Sequence, residues 1–146
     1  MTNPSSPLAL KLDVDQLNNF LGRAFPHSAG SRLVIEAEPG RVRVAYPFSP
    51  ASLRPGGVIS GPTMMSAADT AAYALVLAHI GEVPMAVTTS LTMHFLRPAK
   101  PGELIAEASL LRLGRRIATC DIRLWTEGPE RLAAQATVAY AIPAET

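Results

Sequence analysis

One stretch limits what this chain can become: Val58 to Gly81, VISGPTMMSAADTAAYALVLAHIG. It reads as a single long helix with a marked entrance. Gly61-Pro62 begins it, because proline's fixed φ and missing N–H suit the first helical position. Gly81 stops it, where a left-handed backbone is needed and no Cβ obstructs. From Pro62 to Ile80 the helix is roughly 28 Å long at about 1.5 Å per residue, enough to lie across a whole sheet. Ala67, Ala68, Ala71, Ala72, Ala74 and Ala78 let that sheet approach the helix backbone closely. Met65, Asp69, Ala72, Tyr73, Val76 and Ile80 share one face at three- and four-residue spacings. A lone carboxylate among such neighbours is costly unless it has partners or a task. The plain alternative is an Asp on the solvent side of an amphipathic helix.

The flanking sequence supplies strands to cover this helix. Asp13 caps a short helix, Val14 to Phe25, with Leu17, Phe20, Leu21 and Phe25 on one face, and Pro26 ends it. Two alternating runs, Ser31 to Ala37 and Arg41 to Phe48, flank Glu38-Pro39-Gly40, a hairpin signature. Their alternation assigns Leu33, Ile35 and Ala37 to one buried face and Val42, Val44 and Tyr46 to the other. Pro47 to Gly57 is a loop rich in Pro, Gly and Ser. Four more strands follow: Ala86 to Arg97, Glu103 to Leu113, Arg116 to Thr126 and Arg131 to Ile142. Their short connections predict sequential antiparallel neighbours. Residues 1–12 read as a loose lead-in to one domain spanning 1–146. The sum is an α+β arrangement: a curved antiparallel sheet of about six strands around one long helix (62–80), with a short N-terminal helix.

Composition narrows the function. The formal charge is +1, which gives no reason to expect nucleic acid or an anionic membrane. Hydrophobic residues make up 48% and charged residues 17%, as a packed domain requires. The single cysteine, Cys120, lies in a strand-like run and suits a reducing compartment, and the N-terminal MTNPSSPLAL lacks the pattern of a signal peptide. No apolar run reaches the ~20 residues of a membrane span. A cytoplasmic location is expected. His27, His79 and His94 are scattered, with no Cys or acid at metal-ligand spacing, so no metal is expected. His79, at the helix end, reads as a residue favoured by the dipole, and His94 as a polar-face residue. Neither a phosphate-cradling glycine loop nor a GxSxG elbow occurs.

The chemistry concentrates on Asp69 and Gly61. A glycine at a helix entrance offers a free N–H at a positive dipole end, suited to a developing oxyanion, although a plain glycine turn reads the same way. Gly61 and Asp69 are about 12 Å apart along one helix, yet one reacting carbonyl would need both within ~3 Å. A two-fold dimer in which the helices pass each other resolves this, with Gly61 of one subunit beside Asp69 of the other.

Four segments together resemble the hotdog-fold acyl-CoA thioesterases of the phenylacetyl-CoA thioesterase-like branch. They are SGPTMMSAADTAAYA, AVTTSLTMHFLRPAKPGE, LGRR and AAQATVAYAI, within about Ala45 to Ile142. The resemblance implies a sheet wrapped round a long helix, a dimer through the sheets or a dimer of dimers, and hydrolysis of acyl-CoA without a cofactor. Coenzyme A would enter only as part of the substrate. It assigns the oxyanion N–H to Gly61, the base or nucleophile to Asp69 of the opposite subunit, and a water-holding hydroxyl to Thr88. Ser60 stands where the family carries a His, and Arg54 where many relatives carry Asn or Gln. Substrate contacts are then expected from Ser60, Arg54, Met65 and Tyr73, with Arg115 and Arg116 meeting the CoA phosphates. Those two arginines read equally as a solubilising charge pair on a hairpin. An acyl-CoA binding module without turnover is the alternative, favoured by the absent His and Asn. A hydratase on the same fold ranks third, since no His stands near Asp69 in sequence.

Overall fold

Each helix starts with a cap that its sequence supplies. In the computed structural model, which describes residues 8–28 and 30–144, α1 (Val14–Ala24) opens on a complete capping box. The Asp13 carboxylate accepts from the Gln16 N–H, and the Gln16 side chain accepts from the Asp13 N–H. Leu17, Phe20 and Leu21 are buried, while Phe25 lies past the helix end and is exposed. α2 (Gly61–Ile80) is capped by Ser60, so Gly61 takes the first helical position and Pro62 the second. Gly81 ends α2 with a φ of 92°, its N–H donating to the Leu77 carbonyl at 2.8 Å.

The strands are β1 (Leu33–Glu38), β2 (Arg41–Tyr46), β3 (Leu53–Arg54), β4 (Val58–Ile59), β5 (Val87–Phe95), β6 (Leu104–Leu113), β7 (Ile117–Trp125) and β8 (Ala134–Ala141). Six of them form one antiparallel sheet in the order β1-β2-β6-β7-β8-β5, and β3, inside the expected loop, pairs as a small ribbon with β4, which opens the stretch read as the helix and its entrance. α2 touches all six strands of the sheet. This is the α+β hotdog arrangement that the sequence led us to expect. No helix among the described residues is long and apolar enough to cross a membrane.

Three expectations need correction. First, β5 and β6 are not neighbours: β5 pairs with β8 at the far edge, and β6 pairs with β2. The two are three strand positions apart, about 14 Å at about 4.8 Å per strand. The linker from Leu96 to Glu103 spans up to about 26 Å when extended, and it is anchored on the way. The Leu96 N–H donates to the Ala133 carbonyl, and buried Ala99 accepts from the Ile59 N–H. Second, β1 faces the core through Val34, with Leu33 and Ile35 exposed, because a bulge between Val34 and Glu36 resets its phase. Val42, Val44 and half-buried Tyr46 face inward as expected. Third, part of the lead-in is tied down. Residues 1–7 lie outside the described residues, but the Lys11 and Leu12 N–H groups both donate to the Ala78 carbonyl and Leu12 is buried.

The core is small side chain against small side chain. The six alanines of α2 are buried, and they meet buried Ala106, Ala108, Ala118, Ala134 and Ala136 on the sheet's inner face. Every residue from Ala71 to His79 is buried, so the second half of α2 is covered all round rather than along a stripe. His79 belongs to this cover and is not a charge at a dipole end. Its Nε2 accepts from the Gly40 N–H at 3.0 Å, which leaves the proton on Nδ1 for the Leu75 carbonyl at 2.8 Å. His79→Leu keeps the volume but strands the Gly40 N–H. Chemical denaturation should show a loss of about 1–3 kcal/mol, with little dependence on salt.

Candidate active site

The carboxylate of Asp69 is held by two hydroxyls. Thr88 Oγ1 donates to Oδ1 at 2.6 Å and Tyr140 Oη donates to the same oxygen at 2.8 Å. Tyr140 Oη also lies 3.1 Å from the Asp69 backbone carbonyl. Asp69 is half-buried and Thr88 exposed, so the pair opens at the sheet edge. Among the described residues Oδ2 has no partner. One oxygen is fixed and the other is available.

Strand periodicity alone would misplace Thr88. Ser90, Thr92 and His94 point to the outer face of β5, opposite Ala139, Thr137 and Gln135, while Leu91 and Met93 point inward. Thr88 shares their even spacing, yet it lies opposite Tyr140 on the inner face because the register shifts between Thr88 and Ser90. A bulge at Thr89 turns Thr88 toward α2.

Tyr140 escaped the sequence reading. Its signal was there, an inward position on β8 in an alternating run, but the helix residue it would meet was not legible. Burial pushes its hydroxyl pKa up, so it stays a protonated donor. Tyr73 stacks on it at 5.8 Å between centroids and is itself buried, its hydroxyl donating to the Pro84 carbonyl. Met65, one turn before Asp69, is exposed.

At the entrance of α2 the donors are nearly all used. The Ser60 N–H donates to the Ser52 carbonyl at 2.8 Å, the Thr63 N–H to Ser60 Oγ at 3.3 Å and the Met64 N–H to the Ser60 carbonyl at 3.2 Å. Pro62 has no N–H. The Gly61 N–H is the group left without a partner among the described residues, at the positive end of the helix dipole. Ser60 Oγ is also 2.7 Å from Thr63 Oγ1. Phe95, the last residue of β5, packs on Gly61: a Cβ added there would lie 3.3 Å from its ring.

The expected cations fall in two places. Arg115 and Arg116 line a groove of about 930 Å³ between the end of α2, the β6–β7 turn and the C-terminal residues. Lys11 joins them, and Leu10, Ile80, Val83 and Ile142 supply apolar wall. Among the described residues none of these three cations has an ion-pair partner. Arg54 is exposed on the β3–β4 ribbon and donates to the Pro55 carbonyl. Lys100 is paired with Glu127. No group of three or more His, Cys, Asp or Glu suited to a metal occurs among the described residues.

Residues 56–133 match the model of the thioesterase superfamily. The solved structure of a candidate thioesterase from Silicibacter sp. TM1040 is 38% identical, covers 95% of this chain and 97% of its own, and superposes with a TM-score of 0.87. A phenylacetic acid degradation-related protein from Ralstonia eutropha, itself a candidate thioesterase, is 26% identical with a TM-score of 0.75, over 84% of this chain and 98% of its own. A candidate esterase from Saccharolobus solfataricus is 29% identical over 92% of this chain and 83% of its own.

The tyrosines give this site a measurable pH signature. Tyr46, Tyr73 and Tyr140 are all the tyrosines of the chain, and burial raises the pKa of each. Below about pH 10 both folded and unfolded tyrosines are protonated and the contribution to stability is complete. Above it the unfolded chain ionises first, so stability falls as pH climbs. Unfolding midpoints measured from about pH 9 to 11 should drop, and tyrosinate absorbance should appear only with unfolding.

Proposed function

The chain belongs to the thioesterase superfamily, and we propose that it hydrolyses an acyl-CoA thioester to the free acid and coenzyme A. One observation carries this reading: β5 holds the two halves of a site at its opposite ends. Near its start Thr88 bonds Asp69, and at its end Phe95 lies on Gly61. Those ends are about 23 Å apart along the strand. The outer edge of β5 has no neighbour in the sheet, and Val87 and Phe95 are exposed on it. Two copies joined antiparallel along this edge, about a two-fold between Leu91 and Thr92, set Thr88 of one protomer opposite Phe95 of its partner. The facing strands are then about 4.8 Å apart. Asp69 of each protomer meets the Gly61 N–H of the other, giving two equivalent sites in a homodimer that can pair again into a tetramer.

In such a site the Gly61 N–H donates to the thioester oxygen and stabilises the negative charge that develops there. Oδ2 of Asp69, with Oδ1 held by Thr88 and Tyr140, works in one of two ways. It takes a proton from a water whose oxygen bonds the carbonyl carbon, with Thr88 helping to hold that water. Or it bonds the carbon itself, and water then cleaves the resulting anhydride. Either way the C–S bond breaks: in the first route the proton taken up by Asp69 passes to the departing sulfur, and in the second coenzyme A leaves as the thiolate and takes a proton from solvent. Met65 lines the acyl side, Tyr73 backs Tyr140, and Ser60 and Arg54 flank the entrance. Lys11, Arg115 and Arg116 bind the CoA phosphates in their groove. A cytoplasmic setting fits this substrate and the buried thiol of Cys120.

A second reading, acyl-CoA binding without turnover, draws on Ser60, whose hydroxyl is engaged with Thr63 and does not stand free beside the carbonyl.

Asp69→Asn should lower acyl-CoA hydrolysis by about 100-fold or more with the dimer intact; unchanged turnover removes Asp69 from its role. Gly61→Pro deletes the N–H after a Ser60 already at φ −71° and ψ 152°, but it also adds a Cβ, which would lie 3.3 Å from the Phe95 ring. It should cost about 100- to 1,000-fold more than Gly61→Ala, which adds that Cβ and keeps the N–H. Mixing the two dead variants should restore about a quarter of wild-type activity, since half the dimers are mixed and each holds one intact site.

The groove has its own test. Arg115→Glu with Arg116→Glu should raise KM for acyl-CoA at least about tenfold, as expected when a phosphate contact becomes repulsive. The KM for a truncated thioester that lacks the nucleotide should not move.

A further inference from the structure

Gly61 does not owe its identity to backbone conformation. Its φ is not positive, and a first helical position accepts most residues. Nor does its N–H require glycine, since every residue but proline carries one. What crowds a side chain there is Phe95. A Cβ at position 61 would lie 3.3 Å from the ring's Cζ and 3.6 Å from Cε1, so the ring would have to give by a few tenths of an ångström. Phe95 pairs with Ala134, on the inner face it shares with Leu91 and Met93, and the small partner leaves the ring room to lean toward α2. Yet 52% of Phe95 stays exposed, unusual for a large apolar residue on the face that covers the helix. A half-open aromatic ring stands beside the Gly61 N–H, the backbone donor of the α2 entrance that has no partner among the described residues.

We infer that Phe95 is a specificity-determining residue: its ring is the wall beside the thioester carbonyl and rejects acyl groups branched at the adjacent carbon. This rests on the site proposed above, in which the carbonyl oxygen bonds the Gly61 N–H. A group held there has the Phe95 ring alongside it, and a methyl on the next carbon competes with the ring for the same space. One methylene in a tight apolar slot changes selectivity by about 10- to 200-fold.

The experiment compares two acyl-CoA esters of equal carbon number, one straight and one methyl-branched beside the carbonyl, across wild type, Phe95→Leu and Phe95→Ala. Wild type should prefer the straight ester in kcat/KM. Phe95→Ala should raise the branched-to-straight ratio about tenfold or more, and Phe95→Leu should fall between. A purely structural role would lower both rates together and leave the ratio where it was. An unchanged ratio in folded, dimeric Phe95→Ala, or in Phe95→Leu should the alanine variant not fold, overturns the inference. Asp69→Asn is run in parallel. A shifted ratio with turnover that ignores Asp69 would strike the catalytic reading and leave the Phe95 wall standing.

Discussion

A helix as apolar as α2 must be covered on every side, and the rest of the molecule follows from how that cover is built. The sheet closes over one side through alanine-on-alanine contact. α1 and the backbone of Lys11 and Leu12 close over the other at the C-terminal end. From Ala71 to His79 nothing is left open. Toward the N-terminus the cover gives out: Met65 and Ser66 are exposed, and Asp69 and Thr70 are half-buried. The single acid of the helix sits at that border, near enough to solvent to react and near enough to the sheet to be held. A carboxylate one turn further along would be sealed in and would need a partner for its charge.

Close approach also decides who can hold it. Because α2 presents alanines to the sheet, a tyrosine on β8 spans the remaining gap and reaches both the backbone carbonyl and the carboxylate of Asp69. Larger helix residues would push the sheet away and open that bond. Thr88 reaches the same oxygen only because β5 carries an extra residue. A strict two-residue repeat would aim Thr88 outward beside Ser90. The bulge at Thr89 is therefore as much a part of the site as the hydroxyl it redirects, and both lie on an edge strand where a bulge is least costly.

What could be read from the sequence divides along the range of the interaction. Helix limits were legible to within a residue because their signals are local: Asp13, Pro62 and Gly81 act within one turn of themselves, while the cap at Ser60, which puts Gly61 rather than Pro62 first in α2, was not read. The inward face of β2 was legible because Val42, Val44 and Tyr46 repeat without interruption. The phase of β1 and the position of Thr88 were not, since each depends on one inserted residue that leaves the composition unchanged. The place of β5 at the far edge was hidden as well. A short linker suggested a hairpin, but Pro98 and Pro101 suit an extended crossing, and Ala99 is buried along it. His79 misled for a similar reason. Its position at a helix end is local, while its partner, the Gly40 N–H, lies in another turn of the chain. Asp69 and Gly61 stood out as oddities of a single helix. Tyr140 and Phe95 did not, because what marks them is only the helix residue each one touches.

The α2 entrance shows why a changed residue there need not change what the entrance presents. Ser60 stands where the resembling family carries a His, and here its side chain accepts the Thr63 N–H while its carbonyl accepts the Met64 N–H. Its own N–H is taken by Ser52. Pro62 contributes no donor at all. Each neighbour of Gly61 is thus satisfied inside the chain or has nothing to offer, and the helix dipole is left with one open N–H to act through. A different capping residue would redistribute the bonds around Gly61 without consuming that group, since the N–H of the first helical position has no acceptor within its own helix. Identity at position 60 governs how firmly the first turn is held. Identity at position 62 governs how many donors compete for an incoming oxygen, and with proline there none does.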